Sequence, residues 1–248
     1  MTKLLFSMSQ FLFLRRYAGK GIGFAWIGSL VLLLGCSRQI EVSPAQVGYP
    51  YFPLEVGQFA EYDLTDVTYS LSASPITVQY QVREVVRETS VDLEGQERYR
   101  IERFVRDQAS QPWELDSIWS AWRTVTQAAR TENNVTFVKL VFPFGESLKW
   151  NGNAFNDRGK EEYRLRNVGK PFAVNAQSFT ETVTVLQSDT AANLIDQDKR
   201  WEVYAKNVGL IYAEKVVVQF CADSDCLGQR QISYGTQRTQ KLIAHGKE

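Results

Sequence analysis

Between residues 76 and 86, apolar and polar side chains alternate. Ile76, Val78, Tyr80, Val82 and Val86 share one side, and Thr77, Gln79, Gln81 and Arg83 share the other. A period of two is the signature of a β-strand that buries one face. Glu84 alone breaks the apolar side. Residues 59–71 alternate as well, but their parity switches between Leu64 and Val67, which predicts a bulge. The run Asp92-Leu93-Glu94-Gly95-Gln96 predicts a turn, after which Tyr99, Ile101, Arg103 and Val105 alternate with Arg98, Arg100, Glu102 and Arg106. Residues 135–142 are nearly continuously apolar and β-branched, as for a strand covered on both faces. Asn133-Asn134 just before them is a hairpin signal. Residues 179–187, 200–205, 210–221 and 229–243 continue the series.

Two segments are less clear. Leu115, Ile118, Trp119 and Trp122 fit helical spacing, while Trp113, Leu115, Ser117 and Trp119 fit a strand. The β-propensity of Trp and Ile favours the strand. Residues 188–198 open on Ser188 and carry Ala191-Ala192-Asn193-Leu194-Ile195, which predicts one short helix. Strands joined by short turns, with no long helical pattern, give an all-β class. The expected architecture is a long curved antiparallel sheet, a half-barrel or open barrel of meander topology with at most one or two short helices. A single sheet of this length must curl, close or split to bury its apolar side. Phe59, Tyr80, Tyr99, Trp119, Trp150 and Trp201 are large enough either to line a cavity or to fill it.

The N-terminal stretch reads differently. Residues 21–35 are fifteen uncharged residues preceded by Arg15, Arg16 and Lys20. That is short for a spanning helix, which needs roughly 20 apolar residues, and it has the length and basic flank of a signal-peptide core. It ends in Leu33-Leu34-Gly35-Cys36, which resembles the bacterial lipobox. The resemblance implies cleavage between Gly35 and Cys36, a diacylglyceryl thioether on the Cys36 sulfur, and attachment to a membrane through that lipid. Position 37 is Ser rather than Asp, which by the same resemblance favours the outer membrane of a Gram-negative envelope. The n-region is long, and Met8 is an alternative start to Met1. The expected organisation is a signal helix over 1–35, a tether over 36–48, and a single β domain over 49–248. Fully extended at ~3.3 Å per residue, the tether reaches only some 40 Å, so the domain is held close to the bilayer.

Cysteine count fits that compartment. With Cys36 acylated, Cys221 and Cys226 remain as a pair flanking Ala222-Asp223-Ser224-Asp225. An even pair in an envelope protein predicts a disulfide, here one that staples a hairpin and fixes its strand register. Two ligands with no His nearby make a poor metal site.

Charge and composition narrow the chemistry further. Of 28 Lys and Arg, four lie in the first 35 residues, which hold none of the 28 acids; residues 36–248 thus carry 24 bases and 28 acids. A mildly acidic body excludes a bulk-electrostatic nucleic-acid binder. The single His, His245, removes Ser-His-Asp and Cys-His catalysis. Glu61, Asp63 and Asp66 are the carboxylates closest to an acid–base pair, but Glu61 and Asp63 share a strand face and no second carboxylate converges on them. Asn151-Gly152-Asn153-Ala154-Phe155-Asn156-Asp157 is rich in oxygen ligands yet lacks calcium-loop spacing, so it reads as a turn. Asp196 and Asp198 form a weaker pair of the same kind. Arg98, Arg100, Arg103, Arg106 and Arg123 stand among acids and read as a solvated, cross-strand-paired face. Asp116-Ser117-Ile118 and Asp189-Thr190-Ala191 resemble short envelope O-glycosylation acceptors. Phosphate loops and dinucleotide fingerprints are absent. No catalytic residue, metal or cofactor is expected.

Two phrases carry a further resemblance. Residues 49–57, leading into Phe59-Ala60-Glu61-Tyr62, look like the opening of β-rich envelope lipoproteins. Residues 201–211 are similar to a strand–turn–strand phrase in half-barrel proteins related to periplasmic lipoprotein carriers. Together they cover under a tenth of the chain, and they imply a curved sheet with an apolar concave face. Three functions follow from all this: a lipid-anchored carrier holding a hydrophobic ligand, a structural or assembly lipoprotein working through protein contacts, and, remotely, a carboxylate-dependent hydrolase. An interior apolar cavity above ~300 Å³ would mark the first. A filled core with an exposed apolar patch would mark the second.

Overall fold

The computed structural model describes residues 47–145, 147–190 and 193–248. The signal sequence, Gly35, Cys36 and most of the tether lie outside the described residues. Among the described residues a 3-10 turn, Tyr49–Tyr51, precedes twelve strands. These are β1 (Gln58–Ser70), β2 (Ala73–Val91), β3 (Glu97–Arg106), β4 (Glu114–Arg123), β5 (Gln127–Glu132) and β6 (Val135–Val141), followed by β7 (Lys149–Asn151), β8 (Glu162–Val174), β9 (Gln177–Thr190), β10 (Asp196–Ala205), β11 (Gly209–Phe220) and β12 (Ile232–Lys247).

All twelve form one antiparallel sheet in the order β6-β5-β4-β3-β2-β1-β12-β11-β10-β9-β8-β7. It is two meanders of six strands joined down the middle by β1 against β12. The sheet curls until its edges nearly meet, closing almost into a barrel. Residues just after β7 bridge the seam: Val138 N donates to Gly152 O at 2.9 Å, and Thr136 pairs with Phe155. Trp150 Nε1 donates to Val138 O at 2.9 Å, and Asn156 Nδ2 to Thr136 O at 2.8 Å. Gly152 is required there, because a Cβ would overlap the Tyr163 ring.

The chain from Val47 to Leu54 plugs one end. Tyr51, Phe52 and Leu54 are buried against Val86, Ile101, Leu140, Leu165, Val183 and Val185. Arg123 Nη1 donates to the carbonyls of Tyr49 and Phe52 at 3.0 and 2.9 Å, and Asn207 N to that of Pro50 at 2.7 Å. A second cluster gathers Tyr62, Leu64, Val82, Val203, Ile211 and Leu242 with Val174 of the β8–β9 hairpin. Phe172 of that hairpin meets Trp201 and Tyr212 at ring separations of 6.1 and 5.6 Å. Its tip is stitched to β12, where Asn175 Nδ2 and Gln177 Nε2 donate to the carbonyls of Leu242 and Ile243. The pairing of β1 with β12 slips there, between Glu61 and Tyr62, and the side-chain amides take the carbonyls.

Three expectations need correction. The described part of residues 188–198, which leaves out 191 and 192, is not helical: β9 continues to Thr190 and β10 begins at Asp196, with Ser188 paired to Arg200 and Thr190 to Asp198. Cross-strand bonds from the Ser188 and Thr190 hydroxyls to Asp198 O replace the cap the sequence advertised. The parity switch after Leu64 is not a bulge either. β1 keeps unbroken register with β2 from Phe59 to Thr68; what changes is the interior, which turns polar at Asp66. The disulfide is present, with Cα atoms 5.8 Å apart, but both cysteines lie in the loop between β11 and β12. It closes a turn within that loop and cannot set strand register.

Candidate functional site

The interior of the barrel holds a line of alternating charges. Glu84 (β2), Arg130 (β5), Lys139 (β6) and Glu202 (β10) are all buried, Lys139 to 5% exposure. Register places Glu84 on the same face as Val82 and Val86, and Arg130 on that of Ala128 and Glu132. Lys139 reaches inward because the β5–β6 pairing slips between Ala128 and Ala129, so Leu140 and Val138 have partners while Lys139 does not.

Tyr204 Oη donates to Glu202 Oε2 at 2.6 Å, and Lys139 Nζ sits 2.5 Å from Glu202 Oε1 and 3.3 Å from Glu132 Oε1. Arg130 then spans Glu132 at 3.6 Å and Glu84 at 2.6 Å. Arg103 lies 3.9 Å from Glu84 and pairs outward with Asp116. Trp119 serves both arginines, with the guanidiniums of Arg130 and Arg103 4.6 and 5.1 Å from its ring centre. The Arg130–Glu84 approach is close but out of line, so Arg130 Nη2 and Nε make no directed hydrogen bond.

Burial penalises each charged form here, and the neighbours outweigh it. Burial alone would lower the Lys139 ammonium; Glu132 and Glu202 reverse this and hold it above the usual lysine range. Arg130 is raised in the same way by Glu84 and Glu132. Burial would push Glu132 up, yet Lys139 and Arg130 hold it below the ordinary carboxylate range. Burial, reinforced by Glu84 and Glu202 respectively, keeps the Tyr62 and Tyr204 hydroxyls protonated far beyond neutral pH. Each interior carboxylate is therefore engaged by a cation or a hydroxyl, an arrangement suited to fixing geometry rather than exchanging protons.

Above the Arg130–Glu84 pair lies a cavity of about 70 Å³, floored by Tyr62 and Tyr204 and walled by Phe52, Leu54, Phe59 and Leu210. Gln58 Oε1 is buried there without a donor. This volume holds a few waters and is far below the ~300 Å³ that an apolar ligand pocket needs. A second depression of about 520 Å³ exceeds that volume, but its lining is more polar than apolar, with Asp63, Gln79, Gln81, Asp107, Asn175 and Lys241 beside Leu64 and Tyr80. The expected apolar concave face is thus interrupted by the charged line and filled by the plug.

The remaining candidates separate. Glu61 pairs with Arg83 at 2.6 Å, and Gln81 donates to Asp63 at 2.8 Å, while Asp66 lies on the opposite strand face under Arg238 at 2.6 Å. These carboxylates do not converge. In residues 151–157, Asn151 Oδ1 accepts from the backbone of Asn153 and Glu161, and Asn156 holds the seam. Asp198 pairs with Arg200 at 2.7 Å. Of the arginine group, Arg100 makes a cross-strand surface pair with Glu88 as expected, Arg98 pairs with Asp92 in the β2–β3 turn, and Arg106 bonds Gln81. Arg103 and Arg123 are not: one joins the interior line and the other fastens the plug. Ser117 donates to Asp116. Cys221 and Cys226 cluster with Asp223, but their sulfurs are bonded to each other.

Sequence reasoning flagged Glu84 as the one break in its apolar face. It missed Lys139, which sits inside a run that otherwise reads as fully apolar, along with Glu132 and Glu202. A lysine at the centre of a β-branched strand was the available signal.

No family model and no curated protein matches the chain. Two solved structures resemble it. One is a protein from Bacteroides fragilis assigned as exported, with YmcC-like fold: 11% identity, 79% of this chain, 98% of that chain, TM-score 0.41. The other is a protein from Parabacteroides distasonis assigned as a lipoprotein, with the same identity and coverages and a TM-score of 0.35.

Proposed function

We propose that this chain is a non-enzymatic lipoprotein of the cell envelope, anchored by a lipid on Cys36, that works through contacts with other envelope proteins. Ser37 favours the outer membrane as its site. The observation that carries the reading is a filled interior combined with an apolar mouth. At the end away from the plug, Ile76 pairs with Thr68, Thr68 with Thr236, and Thr236 with Val217, so these side chains share the inner face. Ile76, Val78, Val217 and Tyr234 on that face are exposed. Exposed apolar groups gathered at one mouth of a packed barrel support a protein contact, whereas a carrier would hide them around a cavity.

The test places a photo-crosslinking amino acid at Ile76 or Val217 in cells. Discrete adducts with envelope proteins are expected. Stoichiometric lipid recovered by mass spectrometry from the purified protein, with no adducts, would restore the carrier reading.

A further inference from the structure

We infer that the plugged end of the barrel rests on the bilayer, with the hairpin tips around the plug in contact with lipid. The inference builds on the lipoprotein reading and adds an orientation to it. The described chain starts at Val47, and Val47 O accepts from Phe144 N at 3.2 Å, so the tether leaves the fold on this rim. The same rim carries the β4–β5 turn, whose Val125 carbonyl accepts the Tyr49 hydroxyl at 3.0 Å. Gln96 Nε2 donates to Arg123 O at 3.4 Å, which brings the β2–β3 turn alongside.

Both turns carry an exposed apolar side chain. Leu93 is fully exposed, at 108%, and Val125 is exposed to 74%; Val56 and Val91 lie exposed on the same rim. Hairpin tips normally carry polar residues. Two acids flank Leu93: Asp92 is compensated, accepting the N–H groups of Glu94 and Gln96 and pairing with Arg98 at 2.8 Å, while the Glu94 side chain is exposed.

A tether of at most some 40 Å at ~3.3 Å per residue enters the fold at this rim, which makes it the part of the barrel nearest the anchor. A short link also raises the effective concentration of the second contact to the order of mM. Tips too weakly apolar to bind lipid alone are then occupied once Cys36 is acylated. The occupant is a lipid surface, and the seating points the apolar mouth at Ile76 and Val217 away from the bilayer.

The test uses the full lipidated protein in phosphatidylethanolamine–phosphatidylcholine vesicles. With Cys36 acylated and Cys221 bonded to Cys226, Leu93→Cys, Val125→Cys and Leu71→Cys each supply one free thiol for an environment-sensitive fluorophore. Lipids spin-labelled near the headgroup are expected to quench the probes at 93 and 125 several-fold more than the probe at 71, which sits on the β1–β2 turn at the far end. Vesicle-bound protein with equal quenching at all three positions would overturn the seating and leave the lipoprotein reading intact. Protein that does not stay with vesicles at all would overturn both.

Discussion

Lys139 Nζ lies 2.5 Å from Glu202 Oε1 although β6 and β10 are not neighbours in the sheet. The pair crosses the interior and ties the first meander to the second. Removing one partner of such a pair strands the other charge in a buried interior, and that loss exceeds the net worth of the pair.

Lys139→Met should therefore lower stability by about 3–5 kcal/mol, since it leaves Glu202 with no cation and Glu132 with only Arg130 at 3.6 Å. Adding Glu202→Gln should recover part of this, because Tyr204 keeps an acceptor. Urea unfolding of the two variants measures both effects. A single variant as stable as the parent would show that the interior is wet and the charges are hydrated.

Arg123 holds two plug carbonyls with one nitrogen. Arg123→Ala should cost about 2–3 kcal/mol, since a hydrogen bond to a charged group is worth ~1.5–3 kcal/mol and the two carbonyls share one nitrogen. It should also open residues 47–56 to protease before the strands unfold. Cleavage elsewhere first would mean that the plug is held by its apolar contacts alone.

Stability should be flat across neutral pH and fall at both extremes. Glu132 titrates below its ordinary 4.5, so its contribution is complete above that value and disappears as pH drops through the folded-state value. Lys139 titrates above its ordinary 10.5; its contribution is complete below 10.5 and is lost as pH rises through the folded-state value. Thermal melts from pH 3 to 12 check this, and in Lys139→Met the alkaline fall should be delayed.

The Cys221–Cys226 bond closes a short loop, so its removal should cost about 2 kcal/mol. Replacing both with Ser should quicken amide exchange in residues 221–231 and leave the β11–β12 ladder as it was. Alkylation of the denatured, unreduced protein should find neither thiol free. Altered exchange throughout β12 would give the bond the register-setting role that its position denies.

The strands were legible because nearly all of them obey period two, and the Asn133-Asn134 turn because only such residues tolerate its positive φ angles of 49° and 65°. The interior was not. Period two says which residues share a face, but not which face will meet opposite charge from a strand sixty residues away. Asp66 looked like a slip of the backbone because its partner, Arg238, lies 172 residues on. Arg123 sat among surface arginines, and only the returning plug distinguishes it. The cysteine pair was readable; where it falls relative to the strand ends depends on where the ladder stops.

The junction of β1 with β12 also sets an order of events. The first strand and the last are partners at the centre of the sheet, so every earlier hairpin waits on the final sixteen residues, Ile232–Lys247, before the two meanders can join. Pairing at such sequence separation is slow. Under the proposed lipoprotein reading that delay has a use: the central zipper cannot close while the C-terminal strand is still on the side of synthesis, so a chain exported unfolded would complete its barrel only on the far side of the membrane.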